Sequence, residues 1–282
     1  MPTAKELLDS GNLRGAIDAA TAEVKANPTD PRRRTFLFEL LCFSGDWDRA
    51  EKQIDVIGQQ SMEATLAVTV YRANIAAERE RTRLFRDGVA PHFLTEPPAY
   101  VDLHIEAIQK WIAGDLAAAR KLLDRAEEDR PALEGSWNGT PFSDLRDYND
   151  WTGPALELIV KDKYAWLALE HIQAIEIDPP RTLRDLVWTP ARIRAADGTT
   201  GEVYLPALYY GSSGHADDQV RLGRMTDWKA LDSGGELSQG LGLRIFLVDG
   251  EEQSVLDTRS IEITAGAEGN KAAEGPGEAA PS

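Results

Sequence analysis

Four histidines, one cysteine and one serine–glycine run are the parts of this chain whose residue types could do covalent or metal chemistry. The run Tyr210-Gly211-Ser212-Ser213-Gly214-His215 has the flavour of a nucleophile elbow, which exposes a serine on a sharp turn of the form Gly-x-Ser-x-Gly. The second glycine comes one residue too early, so the run is read as a flexible loop. His92, His104, His171 and His215 are scattered. His104 and Glu106 lie two apart, a helical spacing that points them in different directions. There is no His-Glu-x-x-His, no pair of cysteines for zinc and no glycine-rich loop ending in Lys-Ser or Lys-Thr, so no metal and no cofactor is expected. The 47 carboxylates are too many to single out an acid/base pair. Cys42 sits in the apolar run 36–43 and is expected as a buried core thiol.

Binding chemistry has more material. Three blocks, 185–191, 201–209 and 221–228, are dense in tryptophan, tyrosine and arginine, the residues that dominate binding hot spots. Trp188, Tyr209, Arg221, Arg224 and Trp228 are the candidate partner-binding residues. The alternative is that the tryptophans fill a thin sheet core and that Arg224 pairs with Asp227.

These residues need a frame, and the first half of the chain supplies a repeating one. Gly11-Asn12-Leu13-Arg14-Gly15-Ala16, Gly45-Asp46-Trp47-Asp48-Arg49-Ala50 and Gly114-Asp115-Leu116-Ala117-Ala118-Ala119 share one pattern. The first two glycines are 34 residues apart and the third lies 69 further on, the period of a tetratricopeptide helical hairpin. The glycine ends one helix in the left-handed conformation, the polar residue caps the next, and the alanine admits close helix approach. Pro28 and Pro131 fall where second helices should end, while Leu123 and Ala126 should face the core. Phe38 stands where the repeat prefers a small residue, and no proline follows Ile57, so the stacking should be irregular. Between 61 and 88 the signature is lost, but Leu66, Val70, Ala73 and Ala77 keep a helical period, and a degenerate repeat is expected there.

After residue 135 the helical period gives way to short β-like runs at 156–160, 164–169, 174–177, 189–194, 201–208, 220–224, 241–248 and 260–263. Asp197-Gly198 signals a hairpin, and a short helix fits between Pro180 and Trp188. The expected fold class is therefore α+β: a tetratricopeptide-like helical domain at 1–134, a connection at 135–154, and at 155–264 a small, mostly antiparallel, open-barrel-like sheet domain with a helix or two. Residues 265–282, almost wholly Ala, Gly, Glu, Pro and Ser, are expected as a disordered tail.

A net charge of −16 disfavours nucleic acid and anionic membranes and favours a basic partner. No run approaches the roughly 18 apolar residues of a membrane span, and residues 1–8 lack the apolar core of a signal peptide, so a cytoplasmic protein is expected.

Several blocks together resemble the ImpE family, also called TagJ: Lys163-Tyr164-Ala165-Trp166; Ile175-Glu176-Ile177-Asp178-Pro179-Pro180 with Arg184-Asp185-Leu186-Val187-Trp188; the run 201–209 leading into Gly211-Ser212; and Arg221-Leu222-Gly223-Arg224 with Thr226-Asp227-Trp228. The resemblance reaches to about Ile263. Ala165 and Ala168 stand where larger residues are expected, and Gly242-Leu243-Arg244 matches only approximately. The resemblance implies a non-enzymatic accessory component of a bacterial type VI secretion system. Its partner would be the N-terminal helix of the small contractile-sheath subunit and, indirectly, the AAA+ ATPase that recycles the sheath. A scaffold for another cytoplasmic client, or an enzyme with an unrecognised site in the C-terminal domain, are the alternatives.

Overall fold

In a computed structural model, residues 2–59, 62–232, 234–235 and 237–264 are described. The expected tail at 265–282 lies outside the described residues.

The repeat pattern becomes helices where its caps demand them. Helix α1 (Ala4–Asp9) and α2 (Leu13–Ala26) form the first hairpin, and α3 (Pro31–Phe43) and α4 (Trp47–Gly58) the second. After the long α5 (Met62–Asp87) and the two-residue strand β1 (His92–Phe93), α6 (Ala99–Ile112) and α7 (Leu116–Asp129) form the last. Gly11, Gly45 and Gly114 all have φ between 67° and 80°, the left-handed region that a Cβ would disfavour. Asn12, Asp46 and Asp115 each cap the following helix, their side chains accepting from the amides of Gly15, Arg49 and Ala118. Ala16, Ala50 and Ala119 are fully buried, as are Leu123 and Ala126 in the last hairpin.

Two departures from a regular array matter. Phe38 fits because α3 is enclosed on all sides: residues 37–43 are all buried. Its ring lies 5.4 Å from Tyr71 of α5 and 6.5 Å from Trp188 of the sheet. Residues 62–87, expected as a degenerate repeat, are instead one 26-residue helix whose N-terminal half is poorly covered.

The chain then enters the sheet earlier than expected. Strands β2 (Glu134–Trp137), β3 (Thr140–Phe142) and β4 (Leu145–Asp147) occupy the expected connection. The β2–β3 turn is Asn138-Gly139, with φ of 48° and 81°, a two-residue hairpin. There follow β5 (Ala155–Val160), β6 (Lys163–Ala168), β7 (Ile172–Ile177), a 3-10 turn at Leu183–Leu186, β8 (Trp188–Ala195) and β9 (Thr200–Pro206), the last two joined through Asp197-Gly198. Helix α8 (Asp218–Arg221), β10 (Thr226–Ala230), β11 (Ser238–Gly242), β12 (Ile245–Val248), β13 (Glu251–Ser254) and β14 (Ser260–Thr264) complete the order.

Two expected strands are corrected. Residues 220–224 are the end of α8 and a turn at Gly223, because Asp217 caps this stretch as a helix by accepting from Gln219. The run 241–248 is broken at Gly242, where φ is 93° and a Cβ would sit 2.0 Å from the Met225 carbonyl oxygen. The main sheet has nine strands in the order β1-β6-β5-β9-β8-β7-β14-β2-β3, antiparallel except for β1 on β6. It is strongly mixed in sequence order and unclosed, with smaller sheets β10-β11 and β13-β12-β4 alongside, so the α+β class holds.

The helices and the sheet share an apolar core. Trp47 stacks on Trp188 at 5.9 Å, Phe85 on Tyr210 at 4.7 Å and Trp111 on Trp151 at 4.5 Å, so α4, α5 and α6 each contribute an aromatic to the seam. Cys42 is a buried free thiol in this core, its pKa pushed well up by burial.

Candidate functional site

Where α5 crosses the sheet, the seam contains charge. Arg81 donates from Nε to Glu157 Oε1 at 2.8 Å and from Nη2 to Oε2 at 3.1 Å, and also to the Leu208 carbonyl at 3.0 Å. Arg244 pairs with both Glu157 and Asp147 and donates to the Pro206 carbonyl at 3.0 Å. Tyr164 donates to Glu157 and accepts from the Trp166 indole at 2.6 Å. Trp188 donates its indole N–H to Glu78 at 3.1 Å, while Tyr209 donates to Asp147 at 2.9 Å. All these side chains are buried.

The electrostatics follow from that enclosure. Burial works to raise the Glu157 carboxyl, but the guanidiniums of Arg81 and Arg244 overcome it and hold the pKa at about 2. For Asp147, burial outweighs Arg244 and the pKa is raised; for Glu78, burial outweighs Arg81 with the same result. The Tyr164 and Tyr209 phenols are pushed well up, by burial first. Every carboxylate of the cluster is already engaged by a guanidinium, a phenol, an indole or a backbone amide. The cluster therefore works as a buried joint between helix and sheet, with no free base directed at a substrate.

The five candidate binding residues do not form one patch. Trp188 is 1% exposed and Tyr209 2%, so both belong to the core, which is the alternative set out for the tryptophans. Trp228 is half-buried, 4.4 Å from Tyr148 and 5.8 Å from Tyr209 between ring centroids. Arg221 pairs with Asp218 at 2.7 Å. Arg224 does not pair with Asp227; its guanidinium donates to the Leu8 and Asp9 carbonyls at 2.8 and 3.3 Å, satisfying the open end of α1. Asp227 instead meets His215 Nε2 at 3.1 Å. Tyr209 and Trp228 are brought together, Arg224 ties the turn after α8 to the end of α1, Arg221 stays within α8, and Trp188 stands apart.

The serine–glycine run is a 3-10 turn (Ser212–Gly214) rather than a loose loop. Ser212 donates to the Tyr209 carbonyl at 2.6 Å and accepts from the Gly242 amide at 2.7 Å, so its hydroxyl is committed to holding the turn. His104 is buried and neutral, its pKa lowered to about 4 by burial. Among the described residues no group of three or more His, Cys, Asp or Glu side chains could hold a metal ion, and no helix is long and apolar enough to cross a membrane.

A concavity of about 580 Å³ is an open groove between the N-terminal half of α5 and the sheet. Val70 and Asn74 line it from the helix, and Ile159, Ala191 and Tyr204 from the strands. Sequence reasoning missed it, although the period Leu66, Val70, Ala73 was the signal. A second cavity of about 380 Å³ lies beside the charged joint, lined by Trp47, Arg81, Tyr210 and Ser213.

Known proteins match this arrangement along nearly its full length. Residues 139–262, which hold most of the sheet, match the ImpE protein family. The type VI secretion system accessory component TagJ of Pseudomonas aeruginosa is 35% identical over 260 residues, covering 92% of this chain and 90% of that protein. The crystal structure of protein VPA1032 from Vibrio parahaemolyticus superposes with a TM-score of 0.85 at 26% identity, covering 94% of this chain and 98% of the other. With that identity and coverage, the chain belongs to the ImpE family.

Proposed function

We propose that this protein is a cytoplasmic, non-enzymatic accessory component of a type VI secretion system. It acts by holding the N-terminal segment of the small sheath subunit, and so assists the handling or recycling of the sheath by its AAA+ ATPase. The observation that carries this is the similarity to TagJ of Pseudomonas aeruginosa over almost the whole chain. The saturated buried joint supports a binding rather than a catalytic role, since each of its carboxylates is already held by a guanidinium, a phenol, an indole or a backbone amide. The formal charge of −16 favours a basic partner segment. The helical part, 1–134, and the sheet part, 155–264, are proposed as the two units of the molecule. Of the five candidate contact residues, Arg224 and Trp228 have surface to offer a partner; Trp188 and Tyr209 contribute through the core.

Calorimetric titration with a synthetic peptide of the sheath subunit's N-terminus tests the proposal. Binding at low salt that weakens as the Debye length falls from about 10 Å at 0.1 M to about 3 Å at 1 M is the expected result. No heat of binding at low salt overturns it.

A further inference from the structure

We infer that the groove between the N-terminal half of α5 and strands β8 and β9 seats one short amphipathic helix, apolar on the face it lays down and basic on its outer side. Resting on the function proposed above, that helix is the sheath subunit's N-terminal segment.

Helix α5 carries an apolar row that none of the described residues covers. Met62, Leu66 and Val70 recur every fourth residue and are 84%, 69% and 38% exposed. On one side Val68 packs against Gly58 of α4; just past the C-terminal end of α5, Gln109 of α6 donates to the Gly88 carbonyl at 3.0 Å. In a stacked array of hairpins the bare half of α5 is where a further helix would lie. The row is about 12 Å long at 1.5 Å per residue, which suits two to three turns of a partner helix.

The next residue of the same row is Asn74, which turns inward to the groove. It is buried, and neither its carboxamide nitrogen nor its oxygen has a hydrogen-bond partner. Such a group is costly to bury unpaired. A helix end brings free amides or carbonyls, and a carboxamide can answer either. The far wall is apolar at Ile159, Ala191 and Tyr204, while Asp162, Asp178 and Glu202 stand around it. Of the two cations there, Arg192 is already paired with Glu176 and Asp178 and Lys161 is next to Asp162 in the chain, so three carboxylates stand against two cations and the groove offers a mildly acidic surround to a basic helix face. The arrangement is the helix-in-groove mode of recognition.

The test is titration of the same synthetic peptide into full-length variants. Leu66→Glu combined with Val70→Glu should weaken binding about tenfold or more, with an unchanged melt because both positions are exposed. Asn74→Ala should weaken it several-fold. Met225→Ala, at an exposed position outside the groove lining, should leave it within about twofold. As a measurement independent of those variants, Leu66→Cys carries an environment-sensitive dye selectively, since Cys42 is buried, and its emission should shift on peptide addition. Wild-type binding retained in the double variant, or a silent dye despite measurable binding, overturns the groove while leaving the partner in place. No binding by the wild type overturns both.

Discussion

Glu157 on β5 and Arg81 on α5 meet through two parallel hydrogen bonds of 2.8 and 3.1 Å, sealed from solvent at the point where helix crosses sheet. Arg244 grips the same carboxylate from the other side. The two guanidiniums share this anion, so removing it leaves Arg244 with Asp147 alone and Arg81 with only the longer 3.7 Å contact to Glu78. Glu157→Gln should cost about 3 to 5 kcal/mol, the range for breaking a buried pair by deleting one partner. A urea-unfolding midpoint unchanged by that substitution would show that the joint carries no stability.

The pH dependence has a definite sign. His104 has a folded pKa of about 4 against an ordinary 6.5, so between those values the unfolded chain binds more protons and stability falls as pH falls. The loss from this one buried group is about 3 kcal/mol by pH 4, at 1.36 kcal/mol per pKa unit. Glu157, held at about 2 against 4.5, contributes stability present above pH 4.5 and lost on the way down to 2. Glu78 and Asp147, raised by burial, act in the opposite sense and soften the acid limb. Melting temperatures across pH 7 to 4 should therefore decline in the wild type and stay flatter in His104→Gln.

Ala50 is fully buried where α4 packs on α3. Ala50→Leu should overpack that crossing and cost about 1 to 3 kcal/mol. A thermal melt is the check, and an unshifted midpoint would deny that the alanine sets the approach of the two helices.

Residues 1–134 expressed alone should melt with poor cooperativity. Their buried Arg81 and Glu78 would lose the counter-charge of Glu157 and the indole of Trp188, and Phe38, Trp47, Phe85 and Trp111 would lose their aromatic partners in the sheet. Differential scanning calorimetry would show a broad, shallow transition; a sharp one would mean that the helical part is self-sufficient.

What the sequence made legible was local chemistry. Gly11, Gly45 and Gly114 announce helix ends because the left-handed conformation and the next N-cap sit within two residues of each other. Asp197-Gly198 announces the β8–β9 hairpin by the same kind of short-range requirement. Asn138-Gly139 carried an equal signal, but its flanking strands are short and rich in polar and turn-forming residues, so they lack the alternation that marks a strand. The charged joint was invisible for a different reason. Arg81 and Glu157 are 76 residues apart, and Glu157 and Arg244 are 87 apart, so no spacing rule connects them. Likewise, helical period identified α5 without revealing that Leu66 and Val70 stay exposed, because amphipathicity names an apolar face and not its occupant.

Strand β14, the last element among the described residues, lies inside the main sheet between β7 and β2 rather than at its edge. During synthesis the β2–β3 hairpin therefore waits through more than a hundred residues for the strand that ties it to the rest, with Ile261 arriving opposite both Ile175 and Trp137. A nascent chain short of Ser260 presents two open strand edges to its surroundings. Premature termination near the end should thus be as damaging as an early one, and quality control has until the final strand to distinguish a finished molecule from a failed one.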